Sequence, residues 1–220
     1  MIDYALLVQS FPKLLQGALT TIQLAAYSCL LGLGLGTAAA LAQTSTIKPL
    51  RWLITLYVTL IRGTPMLIQI AFMYYAILPV LGINASPFCA FIIAIGINSG
   101  AYVSQIIRTG ISSVSIGQLE AAQTLGFSKL QIMRYILLPQ ALRLVLPALG
   151  NEFVTLIKDS SLASTIGVVE LYKEGTTIIS QTYDAITIYT GIALTYLLLT
   201  TTLSFGINYL EKVLRSHAHH

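Results

Sequence analysis

The chain has 220 residues, of which 55% belong to the Ala, Val, Ile, Leu, Met, Phe, Trp, Tyr and Cys set; only 9% are charged, and the formal net charge is +4. Soluble domains carry roughly 25% charged residues, so a chain with mean hydropathy +0.79 could not cover a soluble surface. Disorder, coiled coil and a disulfide-stapled secreted fold are excluded by the same numbers. What remains is an all-α polytopic membrane protein. Cys29 and Cys89 sit in apolar runs with no CxxC and no nearby histidine, and read as inert packing. No basic patch interleaved with aromatics supports nucleic-acid binding.

The N-terminus, Met1-Ile2-Asp3-Tyr4, lacks the basic segment of a signal peptide, so the first apolar stretch is expected as a retained span. No charge interrupts Leu14 to Ile47, and a span over about 16–43 is expected. Gly32 and Gly36 within it form a small-xxx-small pair that admits a close helix neighbour. Lys48-Pro49-Leu50-Arg51 punctuates the chain. Arg51, Thr55, Thr59 and Arg62 then fall on one helical stripe, placing this stretch at a membrane surface or against a partner. In Gly63-Thr64-Pro65, Thr64 could cap a new helix with Pro65 at its first position, or one long helix could kink at Pro65. Either way the second span covers about 63–80.

A charge-free turn, 79–87, leads to a third span over about 88–107, with Asn98-Ser99-Gly100 and Ser104-Gln105 in its second half. Polar groups at membrane depth find partners in the bundle or line a wet cavity. The segment 108–140 carries Arg108, Glu120, Lys129 and Arg134 and reads as two short helices outside the membrane. Capping boxes are expected at Ser115-x-x-Gln118 and Ser128-x-x-Gln131, a left-handed turn at Gly126 and a stop at Pro139. A fourth span covers about 141–157, a mixed, broken connection covers 162–180, and a fifth span covers about 185–210. The C-terminal Ser216-His217-Ala218-His219-His220 fits a metal tract or a purification remnant and is given no role.

With 108–140 in the cytoplasm, Lys48, Arg51, Lys212 and Arg215 fall on the same side, and the turn 79–87 and the connection bearing Glu170, Glu174 and Asp184 fall outside. The expected topology is one transmembrane domain over 1–220 with five spans, N-terminus out and C-terminus in.

Within the basic segment, Glu120-Ala121-Ala122, Gly126 and Ile136-Leu137-Leu138-Pro139 match EAA-x3-G-x9-I-x-L-P at every position. This resembles the EAA loop of permease subunits in bacterial ATP-binding-cassette (ABC) importers. Arg62-Gly63-Thr64-Pro65, Asn98-Ser99-Gly100-Ala101-Tyr102, Leu138-Pro139-Gln140-Ala141, Asn151-Glu152-Phe153 and Lys158-Asp159-Ser160-Ser161-Leu162 are similar to the polar amino-acid branch, from about Gly17 to Arg215. Ser115, Ile116 and Gln105 depart from the family's usual residues.

The resemblance implies the type I ABC importer permease fold and a multi-pass location in the bacterial cytoplasmic (inner) membrane. It implies coupling through Glu120, Ala121, Ala122, Leu125 and Gly126 to a cytoplasmic ATPase subunit dimer, a second permease subunit (itself or a paralogue) and an external solute-binding protein. A short helix beginning near Ile116 that exposes Leu119 and Leu125 suits a cleft on a soluble partner, and Glu120 in its first turn complements the helix dipole; a plain cap on the bundle is the alternative. The chain has no phosphate loop, protease motif or metal cluster of its own. No catalytic residue, cofactor or metal is therefore expected, and ATP hydrolysis belongs to a partner.

Glu152, Thr155 and Asp159 share one face of the fourth span, with Lys158, Ser160 and Ser161 beside them. Ionisable groups at membrane depth are costly and usually functional. Lys158 could receive the carboxylate of an amino acid, and Glu152 or Asp159 its ammonium. Equally, Lys158 and Asp159 could sit at headgroup level or pair with each other. Asn98 and Met66 complete the candidate substrate path for a polar or basic amino acid. The competing function, a secondary transporter or channel without an ATPase, would show inverted repeats and a midplane ion site; no internal repeat is visible.

Overall fold

The computed structural model describes residues 2–216, with side chains to residue 213, so the C-terminal histidine tract lies outside the described residues. It is built from helices: α1 Tyr4–Gln43, α2 Lys48–Arg62, α3 Met66–Phe72, α4 Leu78–Val80, α5 Pro87–Ser112, α6 Ile116–Thr124, α7 Lys129–Ile132, α8 Leu138–Asp159, α9 Leu171–Thr182 and α10 Ala185–Ser216. Four stretches are long and apolar enough to cross a membrane: Tyr4–Gln43, Pro87–Ser112, Lys129–Ile166 and Ala185–Val213. Lys48–Arg62 and Met66–Val80 together have the length and apolarity of a fifth, bent by 107°.

Several expected boundaries move. The helix holding the first span starts at Tyr4 rather than near 16, because Asp3 caps it, accepting from the backbone N–H groups of Ala5 and Leu6 at 2.9 and 3.1 Å. The stretch expected as the second span, 63–80, is the second limb of a bent helix pair whose first limb, α2, carries the polar stripe. At the elbow Thr64 does not cap the next helix. Its hydroxyl donates back to Leu60 O at 2.9 Å, and Pro65 is the extended residue before Met66. Ser115 makes no capping hydrogen bond, whereas the Ser128 box forms in full, with Ser128 N donating to Gln131 Oε1 at 2.8 Å. The helix holding the fifth span continues to Ser216.

Pro139 does not end its element. Helix runs without a break from Lys129 to Asp159 through a π-turn at Met133–Leu137, where Leu138 N bonds Met133 O. The other Leu-Pro pair behaves alike: a π-turn spans Met73–Ile77 ahead of Pro79, with Leu78 N bonded to Met73 O. A proline inside a helix lacks the N–H for the carbonyl four residues back and crowds it. Widening the preceding turn moves that carbonyl aside, which is how a π-bulge lets the helix continue.

Packing follows the small residues. Helices α1 and α5 run parallel: a Cβ on Gly32 would lie 2.7 Å from Ser99 Cβ, and one on Gly36 would lie 2.5 Å from Val103 Cβ, while Gly34 faces open space. The pair expected from sequence is thus the face on which α5 sits. One apolar core joins α1, α3, α5 and α8 around Leu24, Ile70, Phe91, Ile95 and Leu156. A second joins α1, α9 and α10 around Leu14, Leu171 and Ile188.

Candidate functional site

Two sites lie on the continuous helix from Lys129 to Asp159 and its flanks. At one end α6 folds against α7 and its π-turn. Ala122 is the buried residue of α6, 3% exposed, while Glu120, Ala121 and Leu125 face outward, Leu125 at 76% exposure. Leu119, expected to be exposed, is half-buried. Gly126 closes the helix with φ +82°, where an L side chain is strained. Phe127 N then reaches Ala122 O at 3.0 Å. The spacing of alanine and glycine thereby becomes geometry: a small residue where α6 touches the bundle, a glycine where the chain reverses. Between α6 and the π-turn lies an open groove of about 390 Å³ floored by Ala122, Phe127 and Tyr135. Gln140 Nε2 spans its edge to Gln118 Oε1 at 2.7 Å.

The second site surrounds Glu152. Its Oε1 accepts the Ser99 hydroxyl at 2.9 Å, joining α8 to the antiparallel α5. Asn98, the neighbour of Ser99, is buried and donates to Gln69 Oε1 at 2.8 Å. Gln69 Nε2 in turn reaches Ile61 O at 2.7 Å and Thr64 Oγ1 at 2.8 Å. One amide therefore holds the 107° elbow between α2 and α3 and the polar turn of α5. Met66 starts α3 beside this network and packs on the core.

The remaining path residues are brought together less tightly. Thr155 is exposed and returns its hydroxyl to Asn151 O at 3.1 Å; Ser160 is buried and donates to Ile157 O at 2.8 Å; Ser161 donates to Lys158 O at 2.9 Å. Lys158 is exposed and Asp159 half-buried, and no ion pair joins them among the described residues.

One buried carboxylate lies outside the candidate sites. Glu170, expected in an outer acidic connection, is fully buried. It caps α9, accepting Tyr172 N at 2.9 Å and Lys173 N at 2.8 Å, and also accepts the hydroxyls of Tyr196 at 3.0 Å and Thr21 at 3.4 Å. Four donors from three helical segments satisfy one carboxylate. Glutamate is not among the usual capping residues, Ser, Thr, Asp and Asn, so its role carried no local signal. Gln69 carried none either.

These features describe a membrane-spanning helical subunit with a structured loop at one end and a polar site within the bundle, the class of transporter permeases. The family described as binding-protein-dependent transport system inner membrane component matches residues 32–216, and the chain belongs to it. It is 36% identical over 212 residues to the glutamine transport system permease protein GlnP of Escherichia coli (strain K12), covering 96% of each chain. It is 40% identical over 213 residues to the L-cystine transport system permease protein TcyB of Bacillus subtilis (strain 168), covering 96% of this chain and 91% of that one. Among solved structures, a crystal structure of an amino acid ABC transporter with histidines superposes with TM-score 0.91 at 38% identity, covering 96% of this chain and 99% of that chain.

Proposed function

We propose that this chain provides the translocation path for a polar or basic amino acid in an ATP-driven importer of the bacterial cytoplasmic membrane. The observation that carries the reading is the Glu152 carboxylate, oriented by Ser99 inside the bundle, in a chain whose relatives are named for glutamine and cystine transport. Glu152 receives the substrate's ammonium, and Lys158 and Asp159 complete the polar face with Thr155, Ser160 and Ser161. Asn98 and Met66 shape it from α5 and α3.

The whole chain acts as one permease domain, N-terminus out and C-terminus in. It pairs with a second permease subunit, itself or a paralogue, because five helices enclose little. The exposed face of α6 with Glu120, Ala121, Leu125 and Gly126, seated on Ala122, docks on a cytoplasmic ATPase dimer that hydrolyses the ATP. An external solute-binding protein delivers the amino acid. Support for these partners is the family's binding-protein-dependent character and the outward side chains of α6.

The test is uptake by vesicles reconstituted with the purified permease, its ATPase and its binding protein. Labelled glutamine, cystine and arginine are offered with and without ATP. ATP-dependent accumulation of one of these or of another amino acid is expected; accumulation independent of ATP retires the importer reading.

A further inference from the structure

We infer that the cavity between the loop-side ends of α1, α2 and α5 binds the phosphodiester headgroup of an anionic membrane lipid. The cavity holds about 700 Å³, and Lys48, Arg51 and Arg108 line it together with Gln43, Thr44 and Trp52. Every charged residue of its wall is a cation. No carboxylate can be borrowed from nearby sequence either, because positions 4–119 contain no Asp or Glu.

Arg108 Nη1 donates to Gln43 Oε1 at 3.0 Å, which ties the end of α1 to α5 and fixes one wall. That bond is to a neutral amide and cancels no charge. Three cations around one void repel one another, and a single phosphodiester facing all three removes that repulsion and supplies acceptors to both guanidinium groups. Thr44 and Thr55 add hydroxyls to the same wall. Trp52 is 68% exposed beside the charges, and Leu41 and Leu56 continue outward as exposed apolar surface. A headgroup-level tryptophan next to cations, with apolar surface leading away, suits a lipid with its acyl chains in place rather than a soluble anion. Lys48, Arg51 and Arg108 stand on the side that the proposed orientation makes cytoplasmic, and the inference rests on that orientation only for naming the inner leaflet.

Native mass spectrometry of the full-length permease in detergent, titrated with phosphatidylglycerol or phosphatidylcholine, tests it. The wild type is expected to retain phosphatidylglycerol selectively. Arg51→Gln/Arg108→Gln should weaken that retention roughly 10- to 30-fold, and Arg51→Lys/Arg108→Lys should recover most of it. Lys129→Gln/Arg134→Gln removes as many charges from the same end of the molecule outside the cavity, and should retain the lipid normally. Equal loss in both Gln pairs, or no loss in the cavity pair, overturns the site. Displacement of the lipid by millimolar inorganic phosphate overturns the lipid assignment. If the cavity pair does not yield folded protein, Lys48→Gln alone must still lower retention severalfold, and unchanged retention there overturns the site. None of these readouts depends on uptake or on which side faces the cytoplasm, so failure of the transporter reading would be seen separately.

Discussion

The Ser99 hydroxyl donates to Glu152 Oε1 over 2.9 Å, across the interface of two antiparallel helices and 53 positions of sequence. The same turn of α5 presses its Ser99 face on Gly32 of α1 and hands Asn98 to Gln69 at the elbow. The acidic group of the proposed path is therefore oriented by the best-packed helix in the bundle.

If Glu152 contacts the substrate as proposed, Glu152→Gln is expected to weaken apparent affinity by one to two decades, since a hydrogen bond to a charged group contributes about 1.5–3 kcal/mol. It should also shift preference from cationic toward neutral amino acids. Ser99→Ala keeps the charge but frees its rotamer, so a smaller affinity loss with unchanged preference is expected. Uptake kinetics over a panel of amino acids, read beside the yield of assembled complex, separates the two. Normal affinity and preference in Glu152→Gln would retire its role in binding.

The α1–α5 interface has a built-in control. Gly36→Val places a branched side chain where even a Cβ would lie 2.5 Å from Val103, and Gly32→Val meets Ser99 in the same way. Overpacking of this kind costs about 1–3 kcal/mol. Gly34→Val, facing open space, should be nearly neutral. Thermal unfolding of the three variants in detergent is the measurement, and a Gly34 variant as unstable as the Gly36 variant contradicts the packing.

At the loop, Gly126→Asp puts a side chain on a left-handed residue, at about 1–2 kcal/mol of local strain. Glu120→Lys reverses an exposed charge on α6. Both should insert normally yet lose uptake while ATP hydrolysis in the assembled complex becomes insensitive to binding protein. Wild-type uptake in both variants removes α6 from the coupling path.

Glu170→Ala removes the acceptor for the first N–H groups of α9, the buried Thr21 hydroxyl and the half-buried Tyr196 hydroxyl. With about 1–3 kcal/mol per unsatisfied buried donor, a large fall in thermal stability is expected. Glu170→Gln preserves an acceptor for the helix cap and should lie between alanine and wild type. Equal stability of all three would show that the buried carboxylate holds nothing together.

Side assignment has its own measurement. A single cysteine at position 84, in a background lacking Cys29 and Cys89, should react with impermeant reagent on intact spheroplasts, and one at position 123 should not. The reverse pattern inverts the topology.

The existence of the spans was legible because charge is scarce and clustered, and the loop was legible because Glu120-Ala121-Ala122, Gly126 and Ile136-Leu137-Leu138-Pro139 match the motif of a family the chain resembles. Boundaries were less so. Pro139 reads as a stop in any local scheme, and only the widened turn at Met133–Leu137, a cooperative backbone rearrangement, lets the helix pass it. Glu170 was read by its charge and its loop-like surroundings. Its partners Thr21 and Tyr196 lie 149 and 26 positions away, beyond any spacing rule. Gln69 was invisible for the same reason: an amide in an apolar run shows no sign of the elbow it fastens until the elbow exists.

Because Pro139 is passed rather than obeyed, the loop and the polar site share one shaft. Fourteen residues separate Leu138 from Glu152, about 21 Å at the helical rise, along one α-helix that carries Pro147 on the way. A push or twist delivered at Ser128 would have to cross the widened turn at 133–137 before the helix could carry it toward the acidic group. The compliant element is the widened turn itself, where one backbone bond is already lengthened to a five-residue reach. Gearing between the two ends is set there, so a deletion of one residue within 133–137 would close the widened turn and press the Pro139 ring on the carbonyl of the preceding turn, kinking the joint while leaving both ends intact.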